Sequence, residues 1–168
     1  MKKKRILNKI NISEPLVLDS GKILQEYEIA YETFGVLNKK KNNAILICHA
    51  LTGDQFCTGR NPVTKKSAWW SSLIGPGKVI DTNIFFVICS NVLGGCMGSF
   101  GPSSVNPKTG KTYEIDFPVI TINDMVNAQY FLIKHFEIKK LFCVTGGSMG
   151  GMQVLQFVAN FPNLCQTA

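Results

Sequence analysis

Ser148 is the residue whose setting speaks most directly of chemistry. It stands in Gly146-Gly147-Ser148-Met149-Gly150, a G-x-S-x-G pattern. A short apolar run, residues 141–145, precedes it, and a stretch that reads as a helix follows. That order of strand, tight turn and helix is the nucleophile elbow, in which a strained serine backbone lifts the hydroxyl clear of the sheet. Glycines flank the serine because a Cβ at Gly146 or Gly150 would collide in so tight a turn. The helix behind aims its first N–H groups at the hydroxyl, where they favour developing negative charge. The chemistry this arrangement offers is attack by serine on an acyl carbon. The alternative is a glycine-rich phosphate turn, but no G-K-[ST] follows and the spacing is not G-x-G-x-x-G.

A serine hydroxyl attacks well only when a base takes its proton, and the base needs a third group to hold it. Behind an elbow the expected chain order is Ser, then Asp or Glu, then His. Residues 149–168 contain no His, Asp, Glu or any other charge. The two histidines are His49 and His135. His49 ends an apolar run, where anchoring a loop suits it better than base catalysis. His135 lies near the end of a helix, where a cation suits the dipole. An oxyanion hole is nevertheless expected from the N–H of Met149 and a second N–H from residues 49–53. Leu51 is the choice for that second donor, with Ala50 as the alternative.

The elements that must position these groups follow from the hydrophobic pattern. Residues 1–15 read as a loose lead-in, and residues 16–168 as one incomplete domain. Residues 16–18, a turn at Gly21 and residues 27–34 suggest an antiparallel hairpin. Residues 44–48 (AILIC) and 84–89 (IFFVIC) are continuous apolar runs, expected of strands buried on both faces. Residues 69–74 read as a short helix ended by Gly75-Pro76-Gly77. Residues 91–118 are rich in Gly, Pro and Ser, and a loop this long in a compact domain is usually functional. Thr121 is the expected N-cap of a helix over 122–136, with Asp124 at its third position. Buried strands with helical crossovers give a doubly wound, mostly parallel α/β sheet.

Composition excludes several classes. At 168 residues, 45% hydrophobic and 17% charged, the chain is globular rather than disordered. No apolar run approaches the ~20 residues of a membrane span. The start, MKKKRILNKINISEP, is too broken for a secretory signal, so a cytoplasmic protein is expected. The six cysteines form no C-x-x-C pair, which points to a reducing compartment and no metal site. The net charge of +7 is carried mostly by lysines at the N-terminus and in loops, a solvated surface rather than a nucleic-acid patch.

Five motifs in register carry a more specific likeness: HALTGD at 49–54, WW-x₃-IGPGK-x-IDT at 69–82, NVLGGCMGS-x-GP at 91–102, DFPVITI-x-DMV at 116–126 and GGSMGGMQ at 146–153. Together they resemble the homoserine O-acetyltransferases of the α/β-hydrolase fold, over nearly the whole chain from about Pro15. The resemblance implies ping-pong transfer. Serine takes acetyl from acetyl-CoA, a co-substrate rather than a bound cofactor, and the L-homoserine hydroxyl takes it from serine for methionine biosynthesis. It assigns Ser148 as nucleophile and Leu51 and Met149 as the oxyanion hole. It also implies a homodimer for the full-length family and places the catalytic Asp and His, the lid and a carboxylate-binding Arg beyond this chain. An O-succinyltransferase or a serine O-acetyltransferase on the same scaffold, a serine esterase, and a non-catalytic remnant are the other readings. The chain alone is expected to be inactive and poorly soluble, with the edge of the 141–145 strand left open.

Overall fold

A computed structural model of the chain describes residues 7–168. In chain order its elements are β1 (Asn8–Ile12), β2 (Leu16–Val17), β3 (Ile23–Leu24), β4 (Tyr27–Phe34), β5 (Ala44–Cys48), β6 (Ile74–Gly75), β7 (Ile80–Asp81) and β8 (Phe86–Ser90). After them come α1 (Ile122–His135), β9 (Leu141–Gly146), α2 (Met149–Asn160) and β10 (Cys165–Thr167). Six strands form the central sheet in the order β1-β4-β8-β5-β9-β10. The β1–β4 and β4–β8 pairs are antiparallel, and β8–β5, β5–β9 and β9–β10 are parallel.

The parallel strands β5 and β8 are buried at every position, which is why their sequences show no polar alternation. Alternate residues of β5 face two different layers. Ala44, Leu46 and Cys48 join a core with Val126, Leu132 and Ile133 of α1 and Val154 and Phe157 of α2. Ile45 and Ile47 join a second core with Cys57, Ile74, Trp69 and Trp70. In the described residues that second face is thus covered by a folded loop with two indole rings. Trp69 and Trp70 pack against one another with ring centres 5.0 Å apart and planes inclined at 50°. No helix among the described residues is long and apolar enough to cross a membrane.

Helix α1 begins as expected. Thr121 accepts from the Asp124 N–H (3.2 Å), and Asp124 accepts from the Thr121 N–H (2.9 Å). This is a complete capping box. The Asp19 N–H also donates to Asp124 (2.9 Å), so the β2–β3 turn is pinned to the start of the helix.

Four expectations need correction. Residues 8–12, expected as part of a loose lead-in, form the edge strand β1; residues 1–6 of that lead-in lie outside the described residues. Asn8 to Ile12 pair with Tyr31 to Tyr27, adding a strand with an alternating face to the free side of β4. The hairpin at Gly21 joins β2 to β3, not to residues 27–34. Strand β4 has buried residues on both faces and is therefore drawn into the large sheet between β1 and β8. Residues 69–74 make only a turn. One i→i−4 bond forms, Ile74 N–H to Trp70 O (3.0 Å), before Ile74 and Gly75 pair with Ile80 and Asp81. Gly75 at φ 150° leaves the helical region there. Finally, the edge of β9 is not open: Cys165 and Thr167 of β10 lie in register beside Leu141 and Cys143.

Candidate active site

The parallel strands β5, β8 and β9 all end on one side of the sheet, and the loops leaving them converge there. β9 runs through Gly146, the chain turns at Gly147-Ser148, and α2 starts at Met149. Ser148 sits at φ 58°, ψ −126°, a region that non-glycine residues occupy rarely. Its side chain is exposed.

The flanking glycines explain how so abrupt a turn fits. A Cβ on Gly146 would stand 2.5 Å from the Cys48 carbonyl oxygen, and one on Gly150 only 2.1 Å from the same atom. The turn is therefore pressed onto the end of β5, the very point where the loop of residues 49–53 begins. Gly147 differs: nothing lies within 4 Å of its Cβ position. A side chain at Gly147 therefore meets open space, where one at Gly146 or Gly150 meets the end of β5.

Met149 is the first residue of α2, so its N–H has no partner within the helix. Leu51 lies in the turn after β5, its side chain exposed. A cavity of about 450 Å³ opens between the loops, and Leu51, Gly53 and Met149 line it together with Asn91, Gly94 and Met125. Residues 91–97 thus supply one wall, as the length of that loop suggested.

His49 is buried and both ring nitrogens are engaged. A backbone N–H can only donate, so the bond from Val92 N–H (3.2 Å) makes Nε2 an acceptor. The proton then resides on Nδ1, which donates to the Ala50 carbonyl (2.7 Å). Burial pushes the imidazole pKa below its ordinary value, against opposing pulls from the Ala50 carbonyl and the Asp54 charge. His49 is a neutral clamp between the loops after β5 and β8. His135 closes α1, and its neighbour Phe136 packs on Phe86 (5.5 Å) at the start of β8. That is the end of the sheet opposite Ser148. Neither histidine is brought to the serine.

Sequence reasoning missed one group. Gln129 of α1 and Gln153 of α2 are both buried and hydrogen-bonded to each other. Gln129 falls within the inward stripe of α1, and a carboxamide on that stripe was the available signal.

Three comparisons bear on this site. Residues 43–168 match the model of the alpha/beta hydrolase fold family. A homoserine O-acetyltransferase of Pelagibacter ubique (strain HTCC1062) is 62% identical over 162 residues, covering 96% of this chain and 44% of the relative. One of Mesorhizobium japonicum is 63% identical over 149 residues, 89% of this chain and 38% of the relative. Among solved structures, homoserine O-acetyltransferase from Bacillus anthracis superposes with a TM-score of 0.86 at 37% identity, covering 96% of this chain and 45% of that one. Esterase E22 superposes with a TM-score of 0.85 at 36% identity, covering 96% of this chain and 46% of that one. The chain spans less than half the length of these relatives.

Proposed function

Because the chain belongs to the alpha/beta hydrolase fold family, we propose that it carries the nucleophile-bearing part of an acetyl-CoA:L-homoserine O-acetyltransferase. The observation that carries this reading is Ser148 on its strained turn, next to a cavity that both Leu51 and Met149 line. The identity of 62% to a homoserine O-acetyltransferase supports the choice of acyl group and acceptor.

In the first half-reaction the Ser148 Oγ attacks the thioester carbonyl while a base takes its proton. The tetrahedral oxyanion is held by the N–H groups of Leu51 and Met149, a kind of stabilisation whose loss costs about 10²–10³ in rate per donor. The C–S bond breaks, the CoA sulfur leaves with the proton, and acetyl remains on Ser148. In the second half-reaction the homoserine hydroxyl attacks that ester and gives up its proton. The C–O bond to Ser148 then breaks, the Ser148 Oγ takes up that proton through the same base, and O-acetylhomoserine departs for methionine biosynthesis in the cytoplasm. His49 cannot be the base, because its Nε2 is already an acceptor for Val92. The family resemblance assigns the base to a part of the family's length that this chain does not span. We propose the same for the acid, for the lid and for the homodimer contact.

The likeness to esterase E22 makes hydrolysis the second reading, and one assay separates the two. Residues 1–168 are joined to the remaining length of the Pelagibacter relative, and CoA release is followed with and without homoserine. Release that requires homoserine is the expected result. Equal release without it, with acetate as product, identifies a hydrolase. Radiolabelled acetyl should be trapped on the protein and should disappear in Ser148→Ala. Label that persists on the Ala variant overturns the assignment of the nucleophile.

A further inference from the structure

The Gln153 carboxamide hydrogen-bonds the backbone next to each half of the proposed oxyanion hole. Its Nε2 donates to the carbonyl of His49 (3.1 Å), the residue that opens the Leu51 loop. It also donates to the carbonyl of Met149 (3.3 Å), in the first turn of α2. The two protons of one NH₂ group thus join two backbone segments that are distant in sequence. The orientation of the amide is fixed from behind, since Gln129 Nε2 donates to Gln153 Oε1 at 2.7 Å. Gln129 Oε1 in turn faces the Cys48 thiol at 4.0 Å. Every donor and acceptor therefore runs in one consistent direction. Both glutamines are within 2% of complete burial. An apolar side chain of the same length would fill this space without needing partners, so packing alone does not call for two amides.

We propose that Gln153 is the positioning residue of the oxyanion hole, oriented by Gln129, and that it sets the Leu51 N–H and the Met149 N–H at a fixed separation. This rests on the acyl-transfer reading through Ser148. Gln153 touches no substrate and acts only through the two backbones it joins. A displacement of about 1 Å at a reacting centre is enough to cost on the order of 10² in rate.

The test uses Gln153→Met, which keeps length and removes both donors. In the chain extended with the remaining length of the Pelagibacter relative, kcat for acetyl-CoA should fall about 10- to 100-fold. KM should stay within about twofold, because substrate binding does not use the hole before charge develops. Unchanged kcat, or a KM rise that accounts for the whole loss, overturns the proposal. A second measurement needs no activity. In the 168-residue chain, amide hydrogen exchange over residues 49–53 and 148–152 should quicken in Gln153→Met, while exchange in β8 stays as it was. Equal exchange in those two segments also overturns the proposal, even if the parent turns over no acetyl-CoA and the acyl-transfer reading has failed. Should Gln153→Met not fold, Gln129→Met removes the donor that orients the amide and is read in the same way.

Discussion

At Ser148 the backbone occupies a region that costs a non-glycine residue about 1–3 kcal/mol, held in place by the contact of Gly146 and Gly150 with Cys48. The two kinds of glycine in the turn therefore part company on substitution. Gly150→Val drives a Cβ to 2.1 Å from the Cys48 carbonyl oxygen, and the end of β5 must move to admit it. We expect a loss of at least ~3 kcal/mol, beyond the usual range for an overpacked core. Gly147→Ala meets open space and should change stability by no more than ~0.5 kcal/mol. Urea denaturation of the two variants checks this, and a fully stable Gly150→Val protein would show that the turn is not packed as described. His49 makes a prediction in pH. Its folded pKa lies below that of the unfolded chain, so the folded state prefers the neutral ring. Its contribution is complete above the ordinary imidazole value of 6.5 and is lost as pH falls from there through the depressed folded pKa. Unfolding free energy should thus decline as pH falls below the ordinary imidazole pKa of about 6.5. The decline should be shallower in His49→Asn, which keeps His135 as an internal control. Identical slopes would show that His49 is not held neutral.

Among the elements, what the sequence revealed tracks how local the determining interaction is. The start of α1 was legible because Thr121 and Asp124 satisfy one another within a single turn. Strands β5 and β8 were legible because burial on both faces leaves an unbroken apolar run. The elbow was legible because its glycines answer to one nearby carbonyl. The partner of residues 27–34 was not, since pairing β4 with β1 and β8 depends on strands far along the chain. Nor was the turn at 69–74. There Trp69 and Trp70 serve a sheet face built from β5 and β8, and that tertiary demand overrides a helical pattern. The same gap hid the link from Gln129 to Gln153, which exists only once α1 and α2 pack together. The capping box can be tested directly. Thr121→Ala removes the acceptor for Asp124 N–H and also the hydroxyl that donates to Asp19 (2.5 Å). We expect a loss of about 1–2 kcal/mol by thermal or urea unfolding, the upper part of the N-cap range because one of the bonds tying the β2–β3 turn to the helix is lost with the cap. A loss under ~0.5 kcal/mol would mean that Asp124 holds both the helix and the hairpin without Thr121.

For the molecule as a whole, the 168-residue chain tested alone should neither transfer acetyl nor stay monomeric. The chemical half follows from where its histidines lie. His49 is neutral with both nitrogens engaged, and His135 lies at the opposite end of the sheet from Ser148. A site stripped of its triad partners can keep about 10³–10⁴-fold over water, but only with an oxyanion hole and a place to bind substrate. The cavity beside Ser148 is open, and Leu51 is 76% exposed at its mouth, so substrate is poorly enclosed. The physical half follows from the two sheet edges. β1 carries Lys9, paired with Glu28 at 2.7 Å, and charge on an edge strand discourages pairing with a second chain. β10 is Cys165-Gln166-Thr167, without charge and largely exposed. Elsewhere on the surface, Met152 and Leu155 of α2 are 60% and 75% exposed. An uncharged edge strand is a template for association, exposed apolar side chains add to it, and the net charge of +7 opposes it only at low salt. Sedimentation should therefore show oligomers that grow as salt is raised. Gln166→Lys, which puts a charge on β10, should reduce them. A monomer at all salt concentrations that releases CoA from acetyl-CoA would overturn both halves, and would require a proton acceptor for Ser148 other than the two histidines.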